Sequence, residues 1–217
     1  MKELFSAKKE RAKKVYFELK KNYGNVPKLF LNYTTDAQML CAIILSAQST
    51  DAQVNRVTEK LFKKYKSVED FANLNLSRFE KEIKSTGYYK QKARRVVNCF
   101  KIIASKYGGK IPISMPELIK LPGVGRKTAN LFLANNGIVE GIAVDTHVWR
   151  LSLRLGLSSR NGQHKIEEDL TRVFDKSVWS EINGLLISHG RAVCTARKPN
   201  CGMCFLNKKK LCPKIGI

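Results

Sequence analysis

Apolar residues in this chain recur at intervals of three and four, and β-branched runs are short, which predicts a nearly all-α protein. Residues 8–23 read as a basic amphipathic helix, with Val15, Phe17 and Leu19 among its apolar positions, stopped near Gly24 and Pro27. Residues 36–45 are apolar on most faces (Met39, Leu40, Ile43, Ile44), which places them at the centre of a core. The polar break Ser46-Ala47-Gln48-Ser49-Thr50-Asp51 caps a following helix over 51–65. Gly87-Tyr88-Tyr89 interrupts the pattern before a long helix over 90–107, ended by Gly108-Gly109. Further helices are predicted at 126–134, from Asp145 as N-cap to about residue 155, at 163–174 and at 178–188. Ser77 with Glu80, and Ser114 with Glu117, match the capping box, in which Ser and Glu satisfy free N–H groups reciprocally. No repeat, low-complexity tract or flexible linker interrupts the chain, so the pattern alone does not reveal a domain boundary.

Charge narrows the partners. Forty Lys and Arg stand against 18 Asp and Glu in 217 residues, a formal net charge of +22. That excess predicts a polyanion, nucleic acid before an anionic membrane surface. No run approaches the ~20 apolar residues of a membrane span. The lysine-rich N-terminal segment also lacks the apolar core of a signal peptide. A cytoplasmic protein with reduced thiols is therefore expected, nucleoid-associated if the source is bacterial. Cys41 and Cys99 fall within apolar helical patterns and read as packing residues.

The other four cysteines call for a metal. Cys194, Cys201, Cys204 and Cys212 form C-x6-C-x2-C-x7-C, a thiolate set suited to Zn²⁺ or to an iron–sulfur cluster. Spacing alone leaves both open. Arg197, Lys198 and Lys208 to Lys210 lie between the ligands, so the closed loop would be a basic projection able to grip phosphates. A second chemistry-bearing stretch is Leu121-Pro122-Gly123-Val124-Gly125-Arg126-Lys127-Thr128-Ala129-Asn130, followed by Ile142-Ala143-Val144-Asp145-Thr146-His147. A glycine turn that feeds directly into a helix offers backbone amides and the positive end of a helix dipole, a ready anion site. Its physics suits a DNA phosphate held without reading of sequence.

The segment 121–130, the Val144-Asp145-Thr146-His147 element, the Leu45-Ser46-Ala47-Gln48 turn and the four cysteines together closely resemble the endonuclease III family of helix–hairpin–helix DNA glycosylases. The resemblance runs essentially end to end. It implies an all-α fold of two lobes. One is a six-helix barrel over 29–139, containing the helix–hairpin–helix at about 114–134. The other is a discontinuous helical lobe, 1–28 with 140–217, carrying a [4Fe–4S] cluster in the loop 194–212, with DNA across the cleft between the lobes. Cys194, Cys201, Cys204 and Cys212 would be the cluster ligands.

The resemblance further implies a bifunctional base excision enzyme acting as a monomer on duplex DNA with oxidised or ring-saturated pyrimidines or abasic sites. Lys127 matches the nucleophile and Asp145 the catalytic carboxylate; His147 is read as structural. Gln48 matches the residue that fills the gap left by a flipped base, and Tyr88 occupies the wedge position of the intercalating loop. Leu121, Gly123, Val124, Gly125 and Arg126 would hold the backbone at the hairpin, and Arg197 and Lys198 would hold it at the cluster loop. The sequence departs from the family twice. Tyr88 stands where an aliphatic residue is usual, and the last cysteine interval is x7 where x5 is common, a two-residue bulge carrying Lys208 to Lys210. Adenine glycosylases normally lack the lysine and add a C-terminal domain, and G/T-mismatch thymine glycosylases place another residue at that position. A helix–hairpin–helix module that only binds DNA needs neither Lys127 nor Asp145. Lys127 therefore favours the lyase among these alternatives.

Overall fold

The computed structural model describes residues 3–217 and is helical throughout, with no strand among the described residues. The chain forms two compact units, 29–138 and 1–28 with 139–217.

The contiguous unit runs through α2 (Asp36–Leu45), α3 (Asp51–Lys64), α4 (Val68–Ala72), α5 (Leu76–Glu82), α6 (Tyr89–Lys106), α7 (Met115–Leu118) and α8 (Arg126–Asn135). Helix α2 is its centre, with every residue from Ala37 to Leu45 buried and α3, α6 and α8 packed around it. Such all-round burial is what an all-round apolar helix requires. Its one polar core residue, Gln38, is fully engaged. The amide accepts from the Thr34 N–H (2.9 Å) and donates to the carbonyls of Phe62 (3.0 Å) and Tyr65 (2.9 Å), which locks the start of α2 to the end of α3. Phe71 of α4 stacks on Phe100 of α6 with ring centroids 4.7 Å apart. Cys41 and Cys99 are fully buried, and burial pushes the Cys99 thiol up to about 12, so both behave as inert packing groups.

The discontinuous unit joins α1 (Phe5–Tyr23) to α9 (Thr146–Arg154), α10 (Gln163–Val173), α11 (Trp179–Ala192) and α12 (Phe205–Lys208). Ala12, Val15 and Leu19 form the buried stripe of α1, which packs on α10, α11 and α12. Phe17, expected among the apolar positions, instead points to solvent at 56% exposure, because the buried stripe runs 12–15–19 and leaves residue 17 on the opposite side. Two glycines set how closely α11 packs. A Cβ on Gly184 would lie 2.7 Å from the Pro27 carbonyl oxygen, and one on Gly190 would lie 2.9 Å from His147 Nδ1. His147 is thus pressed between helices and also contacts the Arg150 guanidinium at 3.2 Å, a packing role.

The helix starts differ from expectation at two places. Helix α5 begins at Leu76 with Asn75 as its cap, the Asn75 side chain accepting from the Arg78 N–H at 3.0 Å, so Ser77 lies inside the helix and makes no capping box. Asn and Ser are comparable caps, and the earlier start gains a helical bond from the Phe79 N–H to the Asn75 carbonyl. Ser114 does precede α7, but its hydroxyl makes no capping bond, and the Glu117 carboxylate that would complete the box is committed to Tyr107 (2.7 Å) and Lys120. A reciprocal box forms instead at Ser67 and Asp70, with bonds of 3.1 and 2.9 Å.

Candidate nucleic-acid interface and metal centre

The hairpin between α7 and α8 is anchored from inside. Leu118, Leu121 and Val124 are buried, and N–H bonds from Leu121 to Leu118 (3.0 Å) and from Val124 to Leu121 (3.1 Å) close the turn. Leu121 and Val124 therefore spend their side chains on the core and can offer a ligand only backbone. The two glycines, alike in sequence, do different things. Gly123 has φ +81°, and a Cβ there would meet Arg95 Cβ at 3.1 Å and Ile44 Cγ2 at 3.2 Å, so folding itself demands glycine. Gly125 has φ −93° and open space where a Cβ would go. It caps α8 without a side chain, leaving the first-turn amides to whatever approaches. Arg126 is the first residue of α8 and Lys127 the second, Arg126 exposed and Lys127 half-buried. Gly123→Ala should cost about 1–3 kcal/mol in urea denaturation, whereas Gly125→Ala should cost less than about 1 kcal/mol; equal losses would contradict this division of labour.

In the same unit, Gln48 and Tyr88 sit on exposed loops. Both have a left-handed backbone, with φ 53° and 49°. Tyr88 is 65% exposed, a large aromatic surface that no core requirement explains. It immediately precedes α6, whose Lys92 is 2% exposed and donates from Nζ to the Thr86 carbonyl at 2.7 Å. Burial pushes the Lys92 ammonium down to about 8.

Asp145 lies in the other unit and caps α9, its Oδ1 accepting from the Val148 N–H at 2.8 Å. That bond fixes the direction of the carboxylate and leaves the second oxygen outside the cap.

The four candidate ligands, all within 194–212, converge. Cys194, Cys201, Cys204 and Cys212 line one cavity together with Leu151, Arg154 and His189. No three His, Cys, Asp or Glu among the described residues group closely enough to hold a single metal ion. A tetrahedral Zn²⁺ draws its thiolates to ~2.3 Å from one point, whereas a cubane cluster spreads them around its corners. Four thiols around a shared cavity fit the cluster. The surroundings suit anionic sulfur: Arg154 Nη1 lies 3.4 Å from Cys194 Sγ, and His189 Nε2 lies 3.5 Å from Cys204 Sγ. Burial pushes His189 down to about 4, so the ring is neutral. The Tyr23 hydroxyl pairs with Nδ1 at 2.9 Å, while Nε2 faces Cys204. Burial first, then the Cys204 and Cys194 sulfurs, push Tyr23 up to about 12, so it keeps its proton.

Two arginines that sequence reasoning passed over shape the cluster loop. Arg150 donates to the Cys194 carbonyl (3.0 and 3.2 Å) and to the Gly190 carbonyl (3.1 Å). Arg154 donates to the carbonyls of Thr195 (2.7 Å) and Ala196 (2.8 Å). Their spacing of four residues puts both on one face of α9, the one signal that could have found them. Held this way, the loop presents Arg197 and Lys198 to solvent. Lys208 and Lys210 are also exposed, while Lys209 is tied to Glu18 at 2.6 Å.

The geometry can be set beside known proteins. Residues 41–176 match the HhH-GPD superfamily of base excision DNA repair proteins. Residues 194–208 match the iron–sulfur binding domain of endonuclease III, the match stopping within the long last interval and short of Cys212. Endonuclease III of Synechocystis is 44% identical over 96% of this chain and 94% of its own. Among solved structures, a non-covalent endonuclease III–DNA complex superposes with a TM-score of 0.89 at 37% identity, covering 95% of each chain. A trapped endonuclease III–DNA covalent intermediate superposes with a TM-score of 0.87 at 37% identity, covering 94% of this chain and 96% of that one. Similarity of this extent, over the barrel unit and the cysteine loop alike, means that the chain belongs to the endonuclease III family of helix–hairpin–helix base excision repair proteins.

Proposed function

We propose that this chain is a bifunctional DNA glycosylase and apurinic/apyrimidinic lyase that removes oxidised or ring-saturated pyrimidines from duplex DNA. The observation that carries the reading is Lys127 at the second position of α8, directly behind the uncapped amides of the hairpin. A phosphate held on those amides by Gly123 and Gly125 would bring the adjoining sugar to the lysine. The Lys127 amine attacks C1′ as the base leaves with its bonding electron pair, giving a covalent amine adduct. Ring opening converts the adduct to a protonated Schiff base. Loss of a C2′ proton then expels the 3′ phosphate by β-elimination, cutting the strand 3′ to the lesion. The Asp145 carboxylate takes the proton from the attacking amine and balances the positive charge on the sugar. Arg126 at the hairpin, with Arg197 and Lys198 on the cluster loop, serves phosphate and not base readout.

The chain carries a [4Fe–4S] cluster, which Cys194, Cys201, Cys204 and Cys212, lining one cavity, would hold. When bound, the cluster closes the basic loop into one rigid surface and supplies no Lewis acid to the sugar. Arg150 and Arg154 hold the same loop from its carbonyl side. No helix among the described residues is long and apolar enough to cross a membrane, and with the +22 charge this supports work on DNA in the cytoplasm. The covalent DNA intermediate of the structural relative at 37% identity supports lyase chemistry over a glycosylase that releases only the base.

Purified protein incubated with a duplex carrying one thymine glycol should release the base and cut the strand 3′ to it. Base release without a cut would indicate a monofunctional glycosylase, and neither event would leave a DNA-binding module.

A further inference from the structure

Among the described residues, four other than glycine take a left-handed backbone, and two of them are Gln48 and Tyr88. Such conformations cost of order 1–3 kcal/mol each, and they persist only where the surroundings hold them. The supports are visible. On the Tyr88 side, buried Lys92 grips the Thr86 carbonyl at 2.7 Å, and the Thr86 hydroxyl donates to the Ile83 carbonyl at 2.8 Å. On the Gln48 side, Thr50 caps α3 by accepting from the Gln53 N–H at 3.2 Å. The Gln53 side chain then reaches across: its Nε2 donates to Ser85 Oγ at 2.7 Å, in the 3₁₀ turn Lys84–Thr86 that leads into Tyr88. Arg56 Nη1 lies 3.4 Å from the Gln53 Oε1, which orients the amide. One side chain thus ties the first turn of α3, which directly follows the Gln48 loop, to the turn before Tyr88, 32 residues apart at the point of contact.

We propose that Gln53 is a positioning residue that couples the Gln48 and Tyr88 loops, so that gap filler and wedge enter the duplex as one rigid fork. This rests on the reading of Gln48 and Tyr88 given above. The physical need is simultaneity. A wedge that parts the stack without a filler lets the flipped base return, and a filler without a wedge meets a closed helix. Two loops moving separately must each be ordered on binding, whereas a pre-tied pair is ordered once. Coupling therefore matters where a stacked, paired duplex must be opened, and not where the lesion is already unpaired.

The test uses the full chain with its cluster. Single-turnover base release is measured for Gln53→Leu, Ser85→Ala and the double variant, with one lesion in paired duplex and in an unpaired bubble. Each single variant should slow the duplex reaction about five- to tenfold, the worth of one hydrogen bond, and leave the bubble rate unchanged. The double variant should be no slower than the worse single one. Gln48→Ala and Tyr88→Ala should combine non-additively in the wild type and additively in Gln53→Leu. Equal losses on duplex and bubble would mean a merely structural bond and would overturn the proposal, as would no loss on duplex. If Gln48→Ala and Tyr88→Ala themselves leave the duplex rate untouched, the reading of those two residues fails instead.

Discussion

Replacing Lys127 with glutamine should abolish the covalent adduct that borohydride traps on abasic DNA and cut strand cleavage by at least about a thousandfold. Glutamine is polar, one atom shorter and uncharged, and its amide cannot form a Schiff base, so loss of the trapped adduct reports the missing amine. The residue is half-buried at the second position of α8, and no described core group depends on it, so thermal stability should stay within about 0.5 kcal/mol of wild type. Duplex affinity should fall by no more than one cation's share, since the hairpin amides remain. A trapped adduct in Lys127→Gln would move the nucleophile elsewhere in the chain.

The second large effect belongs to Asp145, where catalysis and folding can be separated. Its Oδ1 accepts the Val148 N–H at 2.8 Å, a bond that asparagine can also make. Asp145→Asn should therefore fold with nearly wild-type stability and lose about 10²–10⁴-fold in base release, because only the negative charge is gone. Asp145→Ala should lose the same activity and about 1 kcal/mol of stability as well. Calorimetry alongside single-turnover kinetics distinguishes the two. Wild-type turnover in Asp145→Asn would reduce the residue to a helix cap.

Much of this is legible in the sequence, and the parts that are not have identifiable causes. Long helices with a one-sided apolar stripe were read to within a few residues, because burial of that stripe dominates their energetics. Short helices such as α4 and α12 leave no signal in the apolar pattern, since four or five residues carry no period. The capping boxes expected at Ser77 and Ser114 do not form, because a cap is a contest among neighbours. Asn75 won one contest, and Tyr107 with Lys120 drew Glu117 out of the other. Gly123 and Gly125 looked equivalent, yet only Gly123 has a positive φ. Leu121 and Val124 are expected to hold DNA at the hairpin, and burial of their side chains leaves only their backbone for that role. Arg150 and Arg154 escaped notice because arginine on a helix is usually solvated; only the tertiary fold brings the Cys194 to Ala196 carbonyls to them. Gln53 escaped for the same reason, its partner lying on another element.

The discontinuity of the second unit has a consequence for how the protein is made. Residues 29–138 emerge from the ribosome as one continuous piece and can collapse around α2 while synthesis continues. Helix α1 emerges before them but cannot bury Ala12, Val15 and Leu19 until α10, α11 and α12 exist. Its buried stripe must therefore wait, exposed, for more than a hundred residues of translation. The Lys209–Glu18 pair can then close only after nearly the whole chain is out. With Cys212 as a ligand, as proposed above, iron–sulfur insertion comes at the same late stage. A dense positive charge along α1 is useful during that wait, because like-charged nascent chains repel one another before the apolar stripe finds its partners.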